Sequence, residues 1–154
     1  MNSWVMKKYL IDTGVHFARH YRYCKEENPD TKEAISAIEE AIGSYPIFYK
    51  PLSGFGSYDV GKINDTDELK QWLQSEKCEA YILEEFLEGT MYHIESVVYE
   101  GEILLQVAAA YINPPGDIND GATIGSYILL PDSKIYQRLK EENEKVLDAI
   151  SPNN

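Results

Sequence analysis

A short apolar run, Ile47-Phe48-Tyr49, ends in a single lysine, Lys50, and passes at once into Pro51-Leu52-Ser53-Gly54-Phe55-Gly56-Ser57. Glycines reach backbone angles closed to other residues and let a ligand approach the main chain. Successive exposed N–H groups in such a loop form a concavity suited to phosphate oxygens, and a lysine beside it adds a point charge. The order of residues excludes the two better-known phosphate loops. G-x-x-x-x-G-K-[ST] puts the lysine after the glycines, and the dinucleotide pattern needs G-x-G-x-x-G opening a helix. Residues 58–63 beyond the loop read as another strand, so the arrangement is strand, lysine, glycine loop, strand. A plain hairpin turn has the same composition. The loop alone leaves both readings open.

The bulk properties narrow the partners. A chain of 154 residues is long enough for one domain, or for two small lobes sharing a core. Its net charge of −12, from 14 basic and 26 acidic residues, argues against a nucleic-acid partner and against an anionic membrane surface. A few converging cations can still bind ATP in an acidic protein. Cys24 and Cys78 lie far apart without C-x-x-C spacing, which supports neither a zinc site nor a disulfide framework. His16 and His20, on a predicted strand, do not converge on a metal. No run is apolar enough to span a bilayer and the N-terminus lacks a signal-peptide pattern, so the expected compartment is the cytoplasm.

Along the chain, residues 4–13 read as a helix with Val5, Met6, Tyr9 and Leu10 on one face, ending at Gly14. Residues 15–21 read as a strand. Asp30 opens a helix with Glu33 in capping-box position, the stripe Ala34, Ile35, Ile38, Ala41 and Ile42, and Gly43 as its stop. Asp65 and Glu68 repeat that cap before a helix carrying Leu69, Trp72 and Leu73. Residues 80–83 form an apolar strand running into Glu84-Glu85-Phe86-Leu87-Glu88-Gly89. From Tyr92 the pattern becomes antiparallel, with Tyr92, Ile94, Ser96 and Val98 on one face, a Glu100-Gly101 turn, and a strand over 103–112. A loop rich in Pro and Gly follows, then a strand over 126–130, and Asp132 caps a last helix reaching about residue 150. The order predicts an α+β protein with a first lobe over 1–83, a hinge at 84–91 and a second lobe over 92–154. Residues 53–57 and 113–122 lack packing side chains and are expected to be the most mobile internal segments.

The hinge region carries a resemblance. Tyr81-Ile82-Leu83-Glu84-Glu85-Phe86-Leu87-Glu88-Gly89, followed by Tyr92-His93-Ile94-Glu95, resembles the hinge of the ATP-grasp superfamily. The lysine strand and glycine loop lie upstream as in that fold. Asn113-Pro114-Pro115, then 121–126 and Leu130-Pro131 before a helix, are similar to its biotin-carboxylase, carbamoyl-phosphate-synthetase and amino-acid-ligase branch. The resemblance implies two α+β lobes with mainly antiparallel sheets. It also implies that Lys50 meets an ATP phosphate and that Ser53, Gly54, Phe55, Gly56 and Ser57 form a flap over the phosphates. Glu84, Glu85, Phe86 and Leu87 would line the adenine slot, with main-chain groups of 85 and 87 reading the adenine edge. Ile47, Tyr49 and Leu83 are candidate apolar slabs for the ring, or ordinary core.

The departures are as informative. Where the family often has an acid for the ribose, this chain has Met91; His93 is a candidate substitute or a structural hydrogen-bonder. The position of a second phosphate lysine is Ser3. The acid and Glu-x-Asn that hold Mg²⁺ in the family have no counterpart here, so the sequence reads as the ATP-binding middle of a larger ligase. Such a ligase joins a small carboxylate to an amine or thiol through an acyl-phosphate. The alternative is a non-catalytic nucleotide-binding or regulatory module. Without later strands, the sheet over 92–130 would have an open edge and an uncovered apolar face, inviting a homodimer.

Overall fold

The computed structural model describes residues 3–53, 58–75, 80–115 and 121–150. The fold is α+β, with helices α1 (Ser3–Leu10), α2 (Thr31–Ile42), α3 (Thr66–Gln74) and α4 (Lys134–Ile150). Its strands are β1 (His20–Tyr23), β2 (Ile47–Pro51), β3 (Gly61–Ile63), β4 (Tyr81–Glu85), β5 (Tyr92–Tyr99), β6 (Glu102–Tyr111) and β7 (Ser126–Ile128). Chain contacts divide it into two compact units: Met1–Met6 with Phe17–Glu88, and Lys7–His16 with Gly89–Asn154. Among the described residues, no helix is long and apolar enough to cross a membrane.

The first unit is a four-stranded sheet in the order β1-β4-β2-β3, antiparallel at every pairing. The capping residues act as their spacing predicts. The Asp30 carboxylate accepts from the Lys32 and Glu33 N–H groups at 2.7 and 3.1 Å. Gly43, left-handed at φ 79°, closes α2 by donating to the Glu39 carbonyl. Asp65 accepts from the Glu68 N–H at 2.9 Å, and Glu68 reaches back to the Asn64 N–H at 2.8 Å. These caps aim Ala34, Ile38 and Ile42, with Leu69, Trp72 and Leu73, at one sheet face, where they enclose Tyr23, Ile47, Ile63, Tyr81 and Leu83. Each fully buried Ile or Leu there contributes about 1.5–3 kcal/mol of transfer free energy.

Several strand limits differ from the sequence pattern. β1 begins at His20 rather than near residue 15, because at the next rung the Arg19 N–H goes to the Glu85 carboxylate and the ladder of main-chain bonds breaks there. The strand over 58–63 shortens to Gly61–Ile63, and Asp59 takes φ 52° in the turn before it. Gly61 is needed there: a Cβ would stand 2.7 Å from the Tyr49 hydroxyl. α1 stops at Leu10 and continues as a 3-10 turn, Ile11–Thr13, before Gly14 at φ 78°. Its buried residues are Lys7 and Leu10, one turn apart, while Val5 and Tyr9 are exposed. Of the expected stripe Val5, Met6, Tyr9 and Leu10 only Leu10 is buried, and the other buried position, one turn earlier, is held by Lys7.

The second unit holds a three-stranded antiparallel sheet in the order β5-β6-β7. Glu100 and Gly101, at φ 48° and 79°, make a turn whose two positive angles match the right-handed twist of a hairpin. α4 packs on one face, where the Asn143 amide donates to Ser96 Oγ at 2.8 Å and the Tyr136 hydroxyl donates to the Gln106 carbonyl at 3.1 Å. The cap of α4 is Ser133, whose Oγ accepts from the Tyr136 N–H, rather than Asp132 one residue earlier. On the opposite sheet face Val97, Leu105 and Ile128 are 52%, 57% and 72% exposed.

Candidate functional site

Strand alternation gives the sheet of the first unit two chemically different faces. One carries Tyr23, Ile47, Tyr49, Ile63, Tyr81 and Leu83 into the helices. The other, by register, carries His20 opposite Glu84, Glu84 opposite Phe48, and Phe48 opposite Lys62. The next row sets Arg22 opposite Ile82 and Ile82 opposite Lys50. Cations in a chain of net charge −12 are thus gathered on the face opposite α2 and α3, which Trp4 of α1 touches at His20.

Lys50 and Glu84 are brought together directly, with Nζ 2.6 Å from Oε2. The lysine side chain is 30% exposed and the glutamate side chain only 10%, so the pair lies at the boundary of the core. Lys62 Nζ lies 4.6 Å from the centroid of the Phe86 ring, which its positive charge favours through the ring quadrupole. Arg22 is engaged by both oxygens of Glu27, at 2.5 and 3.1 Å. His20 is turned to the Ala18 carbonyl, and Trp4 stands edge-on to its ring at 5.7 Å.

The end of β4 is held from both sides. The Glu85 N–H donates to the Arg19 carbonyl at 2.9 Å, and the Phe86 N–H donates to the Pro46 carbonyl at 3.2 Å. The Glu85 carboxylate accepts from the Arg19 N–H at 2.9 Å and from Arg19 Nε at 2.8 Å, with Nη2 at 2.7 Å. Those hydrogen bonds, the main-chain one first and the guanidinium next, hold the carboxyl below the usual carboxylate range. Leu87, the next residue but one, is 68% exposed.

The residues picked from sequence fare differently. Lys50, Glu84 and Phe86 lie on or beside the face opposite α2 and α3; Glu85 turns to Arg19 instead. Ser53 is exposed, whereas Gly54, Phe55, Gly56 and Ser57, and most of the 113–122 segment, lie outside the described residues. Ile47 and Leu83, 1% and 0% exposed, are helix-side core, with Tyr49 packed against them, and none of them can flank a ligand beside Lys50. Parity was the available signal, because a neighbour of Lys50 in a strand points to the other face. By the same parity Phe48 and Lys62 belong to the site face, and sequence reasoning passed over both. Arg19 had no local signal at all, since its role comes from a partner 66 residues away.

His93 belongs to the second unit, where its ring lies 4.7 Å from that of Tyr111. Its Nδ1 is buried without a hydrogen-bond partner among the described residues. Among the same residues no group of three or more His, Cys, Asp or Glu side chains is arranged to hold a metal ion.

No family model matches the chain. The D-alanine–D-alanine ligase of Natranaerobius thermophilus is 35% identical over 95 residues, 58% of this chain and 25% of that protein. Among solved structures, the VanG D-Ala:D-Ser ligase of Enterococcus faecalis superimposes with a TM-score of 0.71 at 19% identity, covering 97% of this chain and 45% of that one. The carboxyaminoimidazole ribonucleotide synthase of Aspergillus clavatus, complexed with ATP, gives 0.73 at 16% identity, covering 96% of this chain and 37% of that one. The chain thus spans less than half the length of these proteins, and the structural likeness establishes the fold.

Proposed function

We propose, from the premise that this chain has part of the ATP-grasp fold common to these enzymes, that it is the ATP-binding portion of a carboxylate–amine or carboxylate–thiol ligase. The observation that carries the reading is Lys50 at the end of β2, on the sheet face opposite α2 and α3, against Glu84 and one strand from Lys62. Lys50 meets a phosphate of ATP, and Lys62 adds positive charge along the same face. The adenine edge is read by the extended main chain, with an acceptor at Glu85 and a donor at Leu87; Phe48 and Phe86 supply apolar surface.

In the whole enzyme a carboxylate oxygen attacks the γ-phosphorus and ADP leaves. An amine or thiol then displaces phosphate from the acyl-phosphate, losing its proton as the new bond forms. This chain's residues bind and orient the nucleotide, and neutralise phosphate charge as it develops.

One observation favours a second reading, a nucleotide-binding module without turnover: the Lys50 charge is already matched by Glu84. Met91 in place of a ribose acid points the same way. Calorimetric titration with ATP, ADP and GTP, with and without Mg²⁺, tests the common part. Binding of ATP and ADP is the expected result, and no heat with any nucleotide overturns both readings. Phosphate release over a panel of amino and hydroxy acids then separates the ligase from the silent module.

A further inference from the structure

On the nucleotide reading above, the end of β4 must keep one main-chain acceptor out of the sheet. Glu85 and Arg19 face each other at the rung just beyond His20 and Glu84. In a complete rung of this kind each residue gives its N–H to the other's main-chain oxygen. Only half of that exchange is made: the Glu85 N–H reaches the Arg19 carbonyl at 2.9 Å. The returning donor, the Arg19 N–H, goes to Glu85 Oε1 at 2.9 Å instead of to the Glu85 carbonyl. The guanidinium secures the other carboxylate oxygen at 2.8 Å from Nε and 2.7 Å from Nη2. A bond from Arg19 Nη2 to Ser44 Oγ at 3.3 Å ties the guanidinium to the α2–β2 connection.

We infer that the Glu85 side chain determines base specificity, by standing in for its own main-chain carbonyl in the sheet and so leaving that carbonyl for the exocyclic amine of adenine. The Phe86 N–H is committed to Pro46, so the next donor along the segment is that of Leu87. An acceptor at 85 followed by a donor at 87 complements adenine, whose amine donates and whose N1 accepts. Guanine offers the reverse, an accepting O6 and a donating N1–H, and leaves both main-chain groups unmatched. The carboxylate stays ionised at neutral pH and is then an acceptor only, as the substitution requires. Arg19 is 53% exposed, so its ion pair adds little to stability, and its effect belongs to the geometry of the strand end.

The test is calorimetry on the full chain with ATP, GTP and inorganic tripolyphosphate, for wild type, Glu85→Ala and Glu85→Gln, each first checked for folding by circular dichroism. Wild type is expected to prefer ATP over GTP by about tenfold or more. In Glu85→Ala the Arg19 N–H turns to the main-chain carbonyl. The preference falls to about twofold or less through loss of ATP affinity, while tripolyphosphate binding is unchanged. Glu85→Gln keeps an oxygen for the Arg19 N–H and retains the preference. Should alanine fail to fold, Glu85→Val removes the same acceptor in a better strand former. A wild-type preference that survives Glu85→Ala, or a Gln variant as indifferent as the Ala one, overturns this role and leaves nucleotide binding standing. Wild type that binds neither ATP nor tripolyphosphate overturns the nucleotide reading, and the specificity role with it.

Discussion

Lys50 reads in sequence as an exposed charge at a strand end, removable at little cost. In the structure its ammonium lies 2.6 Å from the carboxylate of a glutamate side chain only 10% exposed. Truncating it deprives Glu84 of a cation inside the protein boundary, so Lys50→Ala should lower stability by about 1–2 kcal/mol, less than a fully buried pair would. Adding Glu84→Gln should recover most of that loss in urea melts, yet leave ATP binding weakened about tenfold. If affinity returns together with stability, Lys50 is a packing residue and the phosphate role fails. Tyr45 makes a different residue-scale prediction. Burial pushes its hydroxyl up to about 12; its bond to Glu39 adds to the rise and Thr66 opposes it. A raised folded-state value means its stabilising contribution is complete below the unfolded value of 10 and is lost as pH climbs through about 12. Tyr45→Phe should be somewhat less stable at neutral pH, having lost the 2.8 Å bond to Glu39, and should show a shallower decline in Tm across the alkaline range.

At the scale of elements, the β5–β6 hairpin depends on a turn with two positive φ angles, one of them borne by a glutamate at 48°. Glu100→Asn relieves a non-glycine residue of an unfavourable angle and should stabilise by about 0.5 kcal/mol; Gly101→Ala imposes one and should destabilise by about 1 kcal/mol. Chemical denaturation of the two variants gives opposite shifts if the turn is as described. Equal or same-signed shifts mean the connection has another geometry. The helices are governed by side chains at their ends. Asp30 and Asp65 close the first turns of α2 and α3 at the spacing written in the sequence. For α4 the cap moved from Asp132 to Ser133, whose N–H also donates to the Leu130 carbonyl at 3.0 Å.

For the molecule as a whole, the sheet β5-β6-β7 has β5 and β7 at its ends in the described structure and carries Val97, Leu105 and Ile128 exposed on one face. Its residues 89–133 contain no Lys or Arg, while the chain's net charge is −12. Apolar attraction and charge repulsion therefore oppose each other when two copies meet, and salt weakens only the repulsion. Sedimentation velocity should show self-association that grows with ionic strength, and Leu105→Lys should suppress it with little change in melting temperature. Association that falls with added salt would mean that ionic contacts, rather than this face, drive it.

The sequence by itself determined the local features: which segments are helices, where α2 and α3 begin, where Gly43 stops one of them, and the alternation that makes β5 and β6 a hairpin. All of these follow from backbone angles, caps and periodicity within a few residues. It also singled out Lys50 and Glu84, through the order of its motifs, and the fold pairs their charges at 2.6 Å. Only the tertiary structure decided the rest. Strand lengths depend on where the ladder between distant strands breaks, which is why β1 starts at His20, beside the Arg19 N–H that turns to a carboxylate, and not at residue 15. The face a residue occupies depends on which side the helices cover, which sent Ile47, Tyr49 and Leu83 to the core and brought Phe48 and Lys62 beside Lys50. The meeting of Arg19 with Glu85 and of Lys50 with Glu84 needs strands distant in sequence laid edge to edge, and pairing at that range leaves no periodic mark in the chain.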